Sequence, residues 1–85
     1  MQKPFDISDA LLRELHDPET RSAAFGRLLE SSLTPLYWHA RRLVVVHEDA
    51  EDVVQETLLR AYKGIDRFRG DGPALKAWLL SLIHI

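Results

Sequence analysis

Along this chain apolar residues return at steps of three and four and never alternate steadily with polar ones, so the pattern predicts helices and no sheet. The run Leu43 to Val46 is the only β-flavoured stretch. A short first helix is predicted from Ser8 to His16, with Ser8 as N-cap and Leu11, Leu12 and Leu15 on one side. Asp17-Pro18 ends it. The same pair suits the start of the next helix, Asp17 capping and Pro18 at the first helical position, where its missing N–H costs nothing. From Pro18 to about Val46 the residues Phe25, Leu28, Leu29, Leu36, Ala40, Leu43 and Val44 keep helical spacing, interrupted by Ser31-Ser32-Leu33-Thr34-Pro35. The Pro35 ring removes one backbone bond and crowds the preceding turn. Two abutting helices and one bent helix are both compatible with it.

The clearest element runs from Asp49 to Lys63, where Ala50, Val53, Val54, Thr57, Leu58, Ala61 and Tyr62 share a face. Asp49 is a good N-cap. Glu51 and Asp52 in the first turn, with Arg60 and Lys63 in the last, complement the helix dipole, and Gly64 is placed to end the helix in the left-handed conformation. A loop from Ile65 to Gly72 follows. Pro73 then opens a last helix carrying Leu75, Trp78, Leu79, Leu82 and Ile83 on its stripe. No helix-ending residue precedes Ile85, so the chain is expected to stop within that helix. The fold expected is all-α, a compact bundle of three to four helices, with a lead-in at 1–17 and a helical domain at 18–85. Its predicted core is Leu28, Leu36, Leu43, Val54, Leu58, Tyr62, Trp78 and Leu79.

Composition narrows the function. At 85 residues, 46% hydrophobic and 28% charged, the chain is one small domain, too short for a catalytic barrel or a two-domain dinucleotide enzyme. With no cysteine it has neither a disulfide framework nor a thiolate metal site. No charged leader with an apolar run and no membrane-length apolar stretch occurs, so no membrane partner is expected and the cytoplasm is the expected compartment. A net charge of −2 argues against non-specific coating of nucleic acid. The charges are unevenly placed. Glu48 to Glu56 carries five carboxylates and no cation, whereas from Thr57 onward five cations face only Asp66 and Asp71. Two chemically different partners would produce that asymmetry, and so would a mixed solvated surface.

On the third helix the face opposite the apolar stripe holds Asp52, Gln55, Glu56, Leu59, Arg60 and Lys63. Leu59 is out of place there. An apolar anchor within a polar rim is what a protein-binding helix presents, although single exposed leucines are common. The loop Arg67-Phe68-Arg69-Gly70-Asp71-Gly72 puts a ring between two guanidinium groups, which suits phosphate contacts and stacking on an unstacked base. The alternative folds Phe68 into the core and leaves both arginines solvated. A metal-enzyme reading would use His47, Glu48, Glu51 and Asp52, but no second histidine has ligand spacing to His47, and His16 and His39 read as surface positions. Catalytic residues, metal and cofactor are therefore expected to be absent, and no enzyme is expected. The rival class is a helical protein-interaction module with an acidic binding face and no DNA contact.

These residues together resemble a known family. Glu48 to Tyr62, then Asp66-Arg-Phe-Arg-Gly-Asp71, then Ala77-Trp-Leu79, are similar in order and spacing to region 2 of bacterial extracytoplasmic-function (ECF) sigma factors of the sigma-70 family. The similarity extends back through Ala24-Phe25, Leu28-Leu29 and Leu36-Tyr37 to Arg41-Arg42-Leu43. The resemblance implies a transcription initiation domain whose third helix docks on the clamp helices of the RNA polymerase β′ subunit, through Asp52, Gln55, Glu56 and Leu59. It also implies that the following loop and helix open the promoter −10 element and hold a flipped base of the non-template strand. Phe68 would then be a pocket wall and Arg67, Arg69 and Lys76 phosphate ligands. An anti-sigma protein is a further implied partner. The family's small residue and pocket asparagine are replaced here by Ile83 and Ile85, and a frequent cation by Ser81.

Overall fold

The computed structural model describes residues 7–83 and contains, in order, α1 (Asp9–His16), α2 (Arg21–Arg41), α3 (His47–Gly64), a 3₁₀ turn (Ile65–Arg67) and α4 (Gly72–Ser81). No strand occurs among the described residues, and the all-α expectation holds. The α2–α3 pair makes the most extensive packing, α1 lies across α2, and α4 closes against α3.

Ser8 caps α1 as expected, its hydroxyl accepting from the Leu11 N–H at 3.1 Å. The second helix starts three residues later than the Asp17-Pro18 pair suggests, and the end of α1 explains why. Its last four carbonyls need partners. Asp17 N–H donates to the Arg13 carbonyl, the Thr20 hydroxyl to Glu14 at 2.7 Å, and the Arg21 guanidinium to Leu15 at 2.7 Å and His16 at 3.1 Å. The turn over residues 17–20 brings Thr20 and Arg21 back onto α1, and Asp17 spends its carboxylate on the Glu19 N–H within that turn.

Pro35 does not divide α2, which runs unbroken from Arg21 to Arg41. A proline inside a helix costs about 3 kcal/mol. That cost is offset by burial along one row, Ala24, Leu28, Ser32, Leu36 and Ala40, every member of which is fully buried. Ser32 is the weak link, because its hydroxyl is buried without a hydrogen-bond partner. Ser32→Ala is expected to stabilise the domain by about 1 kcal/mol by removing an unsatisfied group. A urea midpoint that falls in this variant would show instead that the hydroxyl is paired.

The third helix begins at His47, so Asp49 lies in its first turn and is not the cap. Val46 precedes the helix and supplies only its carbonyl, to the Ala50 N–H. The first turn is closed by side chains, with His47 Nε2 2.9 Å from a Glu51 carboxylate oxygen and Glu48 and Asp49 at the positive end of the dipole. Gly64 does not adopt a left-handed conformation: its φ is −105° and the chain continues into the 3₁₀ turn. It is small for another reason, since a Cβ there would lie 3.3 Å from the Trp78 ring.

The predicted core is right for Leu28, Leu36, Val54 and Leu79, all buried, while Leu58 and Trp78 are half-buried against it. Two of its members are wrong. Leu43 is 55% exposed because α2 ends at Arg41 and leaves it in the turn. Tyr62 is 45% exposed, since the buried row of α3 is Ala50, Val54, Thr57 and Ala61, one step around the helix. Three of those four side chains are smaller than valine, which lets α2 and α3 approach closely.

In α4 the Asp71 carboxylate accepts from the Ala74 N–H at 2.9 Å and Pro73 sits in the first turn. The helix ends at Ser81, and Ile85 lies outside the described residues. No helix among the described residues is long and apolar enough to cross a membrane.

Candidate protein and nucleic-acid interfaces

The four α3 residues singled out for protein docking, Asp52, Gln55, Glu56 and Leu59, are all exposed on one side of the helix. Glu56 pairs with Arg60 one turn on, at 3.4 Å, and this exposed pair contributes little to stability. Leu59 is 58% exposed. It borders an open groove of about 430 Å³ between α2 and α3, lined also by Phe25, Leu29, Gln55, Leu58, Tyr62 and Lys63. Toward the start of α3 a second hollow is lined by Leu33, Thr34, Tyr37, Glu51, Val54 and Gln55. Gln55 belongs to both, so the two hollows form one track along the α2–α3 seam with an amide at its middle. Asp52 and Glu56 line neither and flank the track.

Of the four α3 residues singled out from the sequence, Gln55 and Leu59 line this track, and none of the α2 wall was singled out. Phe25, Leu29, Leu33 and Tyr37 follow one another at steps of four, directly beside the buried row that starts at Ala24. Two adjacent apolar rows on one helix are wider than a single core contact requires. The second row is the signal that was available. Tyr62, assigned to the core, joins the track and meets Phe25 edge-on, with ring centres 5.0 Å apart.

At the other candidate site, the 3₁₀ turn carries Arg67 outward and anchors itself through Ile65, which is fully buried. The Phe68 ring is half-buried and tilted against Trp78, with centroids 5.3 Å apart. Its carbonyl accepts from Arg69 Nη1 at 2.8 Å and bonds to His16 Nε2 at 2.9 Å. His16 is thus half-buried and ties α1 to the loop; it is not a plain surface position. Arg69 Nη1 also donates to the Asp66 carbonyl at 2.8 Å, which stiffens the loop around an exposed guanidinium. Gly70 has φ +146°, and a Cβ there would lie 2.9 Å from Ala74 and 3.0 Å from the Phe68 ring, so the turn requires glycine. Lys76, also exposed, lies on the α2 side of α4, where it lines a hollow with Trp38, His39 and Arg42. Ile83 is buried in the core.

No group of three or more histidine or carboxylate residues among those described is arranged to hold a metal ion. His47, the focus of the metal reading, is engaged by Glu51 on one ring nitrogen and by the Tyr37 hydroxyl on the other.

Residues 28–84 match the sigma-70 region 2 family, and the chain belongs to it. Among known proteins the chain is similar to the ECF RNA polymerase sigma factor SigG of Mycobacterium tuberculosis, in strains CDC 1551 / Oshkosh and ATCC 25618 / H37Rv. The identity is 39% over 80 residues in each, which is 93% of this chain and 21% of the relative. The chain therefore spans about a fifth of the length of the curated relatives it matches. No solved structure matches it.

Proposed function

We propose that this domain acts in transcription initiation by docking on the β′ clamp helices of core RNA polymerase and engaging the promoter −10 element. The observation that carries the reading is the track on the α2–α3 seam: an exposed leucine beside an apolar groove, an amide at its centre and carboxylates on its flank. A helical partner would seat an apolar residue against Leu59 and Tyr62, bond to Gln55, and set cations near Asp52 and Glu56. An anti-sigma protein that kept the domain from polymerase would have to cover the same track.

On the DNA side, Phe68 is a preformed wall whose ring is already packed on Trp78, so little ordering cost falls on the protein when a base is flipped against it. Arg67 and Arg69 flank that wall with positive charge for the strand's phosphates, and Lys76 serves phosphates farther along α4. Co-purification with core RNA polymerase tests the reading. Retention of the chain on immobilised core enzyme is expected; passage through the column unretained would contradict it.

A further inference from the structure

The lead-in meets the loop that carries Phe68 at its start, its middle and its end. The 3₁₀ turn packs on α1, whose Leu12 and Leu15 are buried. His16, the last residue of α1, places Nε2 2.9 Å from the Phe68 carbonyl oxygen. The Ile7 carbonyl oxygen lies so close to Gly72 that an added Cβ would be 2.1 Å from it. All of these lead-in residues stand ahead of residue 28, where the family match begins.

A carbonyl oxygen can only accept, so Nε2 of His16 is the donor. Favourable interaction with the negative end of α1 accounts for a histidine in its last turn. It does not account for a ring that reaches residue 68. The bonds that Arg69 makes, to the Asp66 and Phe68 carbonyls, join residues of the loop to one another and would travel with the loop if it moved. The bond from His16 comes from another element, and it holds the loop against the rest of the fold at the residue whose ring packs on Trp78. A recognition loop held in place before its ligand arrives loses less conformational freedom on binding. We infer that His16 is a positioning residue for the Phe68 wall: its imidazole N–H keeps Phe68 and the arginines beside it in the arrangement that receives a strand. The inference rests on the reading of this loop as the −10 contact, and it gives α1 a part in that site.

The test compares His16→Leu, which keeps bulk without a donor, with His16→Gln, whose side-chain N–H can take the place of Nε2–H. The Phe68 carbonyl keeps its bond from Arg69 in both, so no acceptor is left without a partner and both should fold. Fluorescence anisotropy of the 85-residue chain with a labelled oligothymidine at low salt gives the affinity, and circular dichroism the unfolding midpoint. At a temperature where every variant is fully folded, His16→Leu is expected to bind at least about threefold more weakly than the original chain and His16→Gln within about twofold of it. Loss of packing alone would not produce that rescue. His16→Ala replaces a leucine variant that does not fold. Arg67→Ala/Arg69→Ala tests the loop reading separately. Loss of binding in that double variant with unchanged affinity in His16→Leu overturns the inference and leaves the loop reading standing. Equal weakening in His16→Gln and His16→Leu also overturns it, since the donor would then not be what matters. Binding that survives the double arginine variant, or no binding by the original chain, contradicts the loop reading and the inference with it.

Discussion

Ile65→Ala is expected to lower the unfolding free energy by about 2–5 kcal/mol, the usual cost of emptying a closed aliphatic site. Ile65 is fully buried, and its short 3₁₀ turn packs against both α1 and α3. A domain of this size has only roughly 5–10 kcal/mol in hand. The loss should also reach function, because Ile65 is the root of the segment that presents Arg67, Phe68 and Arg69. Urea unfolding followed by circular dichroism gives the stability change. A shift below about 0.5 kcal/mol would mean that the turn is not anchored as the structure has it.

Gly72→Ala is the second large effect, and its cause is backbone crowding. A Cβ on Gly72 would lie 2.1 Å from the Ile7 carbonyl oxygen and 3.2 Å from its carbon, neither of which can swing away as a side chain does. Either the lead-in leaves α4 or the start of α4 shifts, at about 1–3 kcal/mol. Gly26 provides the control. It lies inside α2 with nothing within 4 Å of the Cβ it lacks, so Gly26→Ala should stabilise by about 0.5–1 kcal/mol. Opposite signs for the two glycine variants in one unfolding assay are the expected result. Equal small effects would show that residue 7 does not rest on α4.

What the sequence revealed and what it hid divide along local and long-range causes. The Ser8 cap, the proline opening of α4 and the exposed face of α3 depend on residues within a turn of one another, and each was legible. Helix starts that depend on distant partners were not: Arg21 begins α2 because its side chain satisfies the end of α1. The continuity of α2 through Pro35 likewise reflects a buried row whose cover comes from other elements. Periodicity placed Tyr62 on an apolar face without saying that small residues beside it would take the core contact. The exposed face formed by Asp52, Gln55, Glu56 and Leu59 was legible because a leucine among carboxylates breaks the pattern. The row Phe25, Leu29, Leu33 and Tyr37 was not singled out, because from spacing alone a second apolar row beside a buried one reads as core. Lys76 was given as a phosphate ligand by the resemblance alone; its place on α4 beside Trp38 comes from the packing of that helix.

The central claim is that the α2–α3 track binds polymerase through Leu59. Titration calorimetry of the chain with a coiled-coil fragment of the β′ clamp helices tests it most directly, with Leu59→Ala alongside. An anchor leucine at a desolvated contact is worth about 1–3 kcal/mol. The original chain should bind, and Leu59→Ala should bind at least about fivefold more weakly with an unchanged unfolding midpoint, since the residue is exposed and adds little to the core. Equal affinity of Leu59→Ala and the original chain, or no binding by either, would contradict the account.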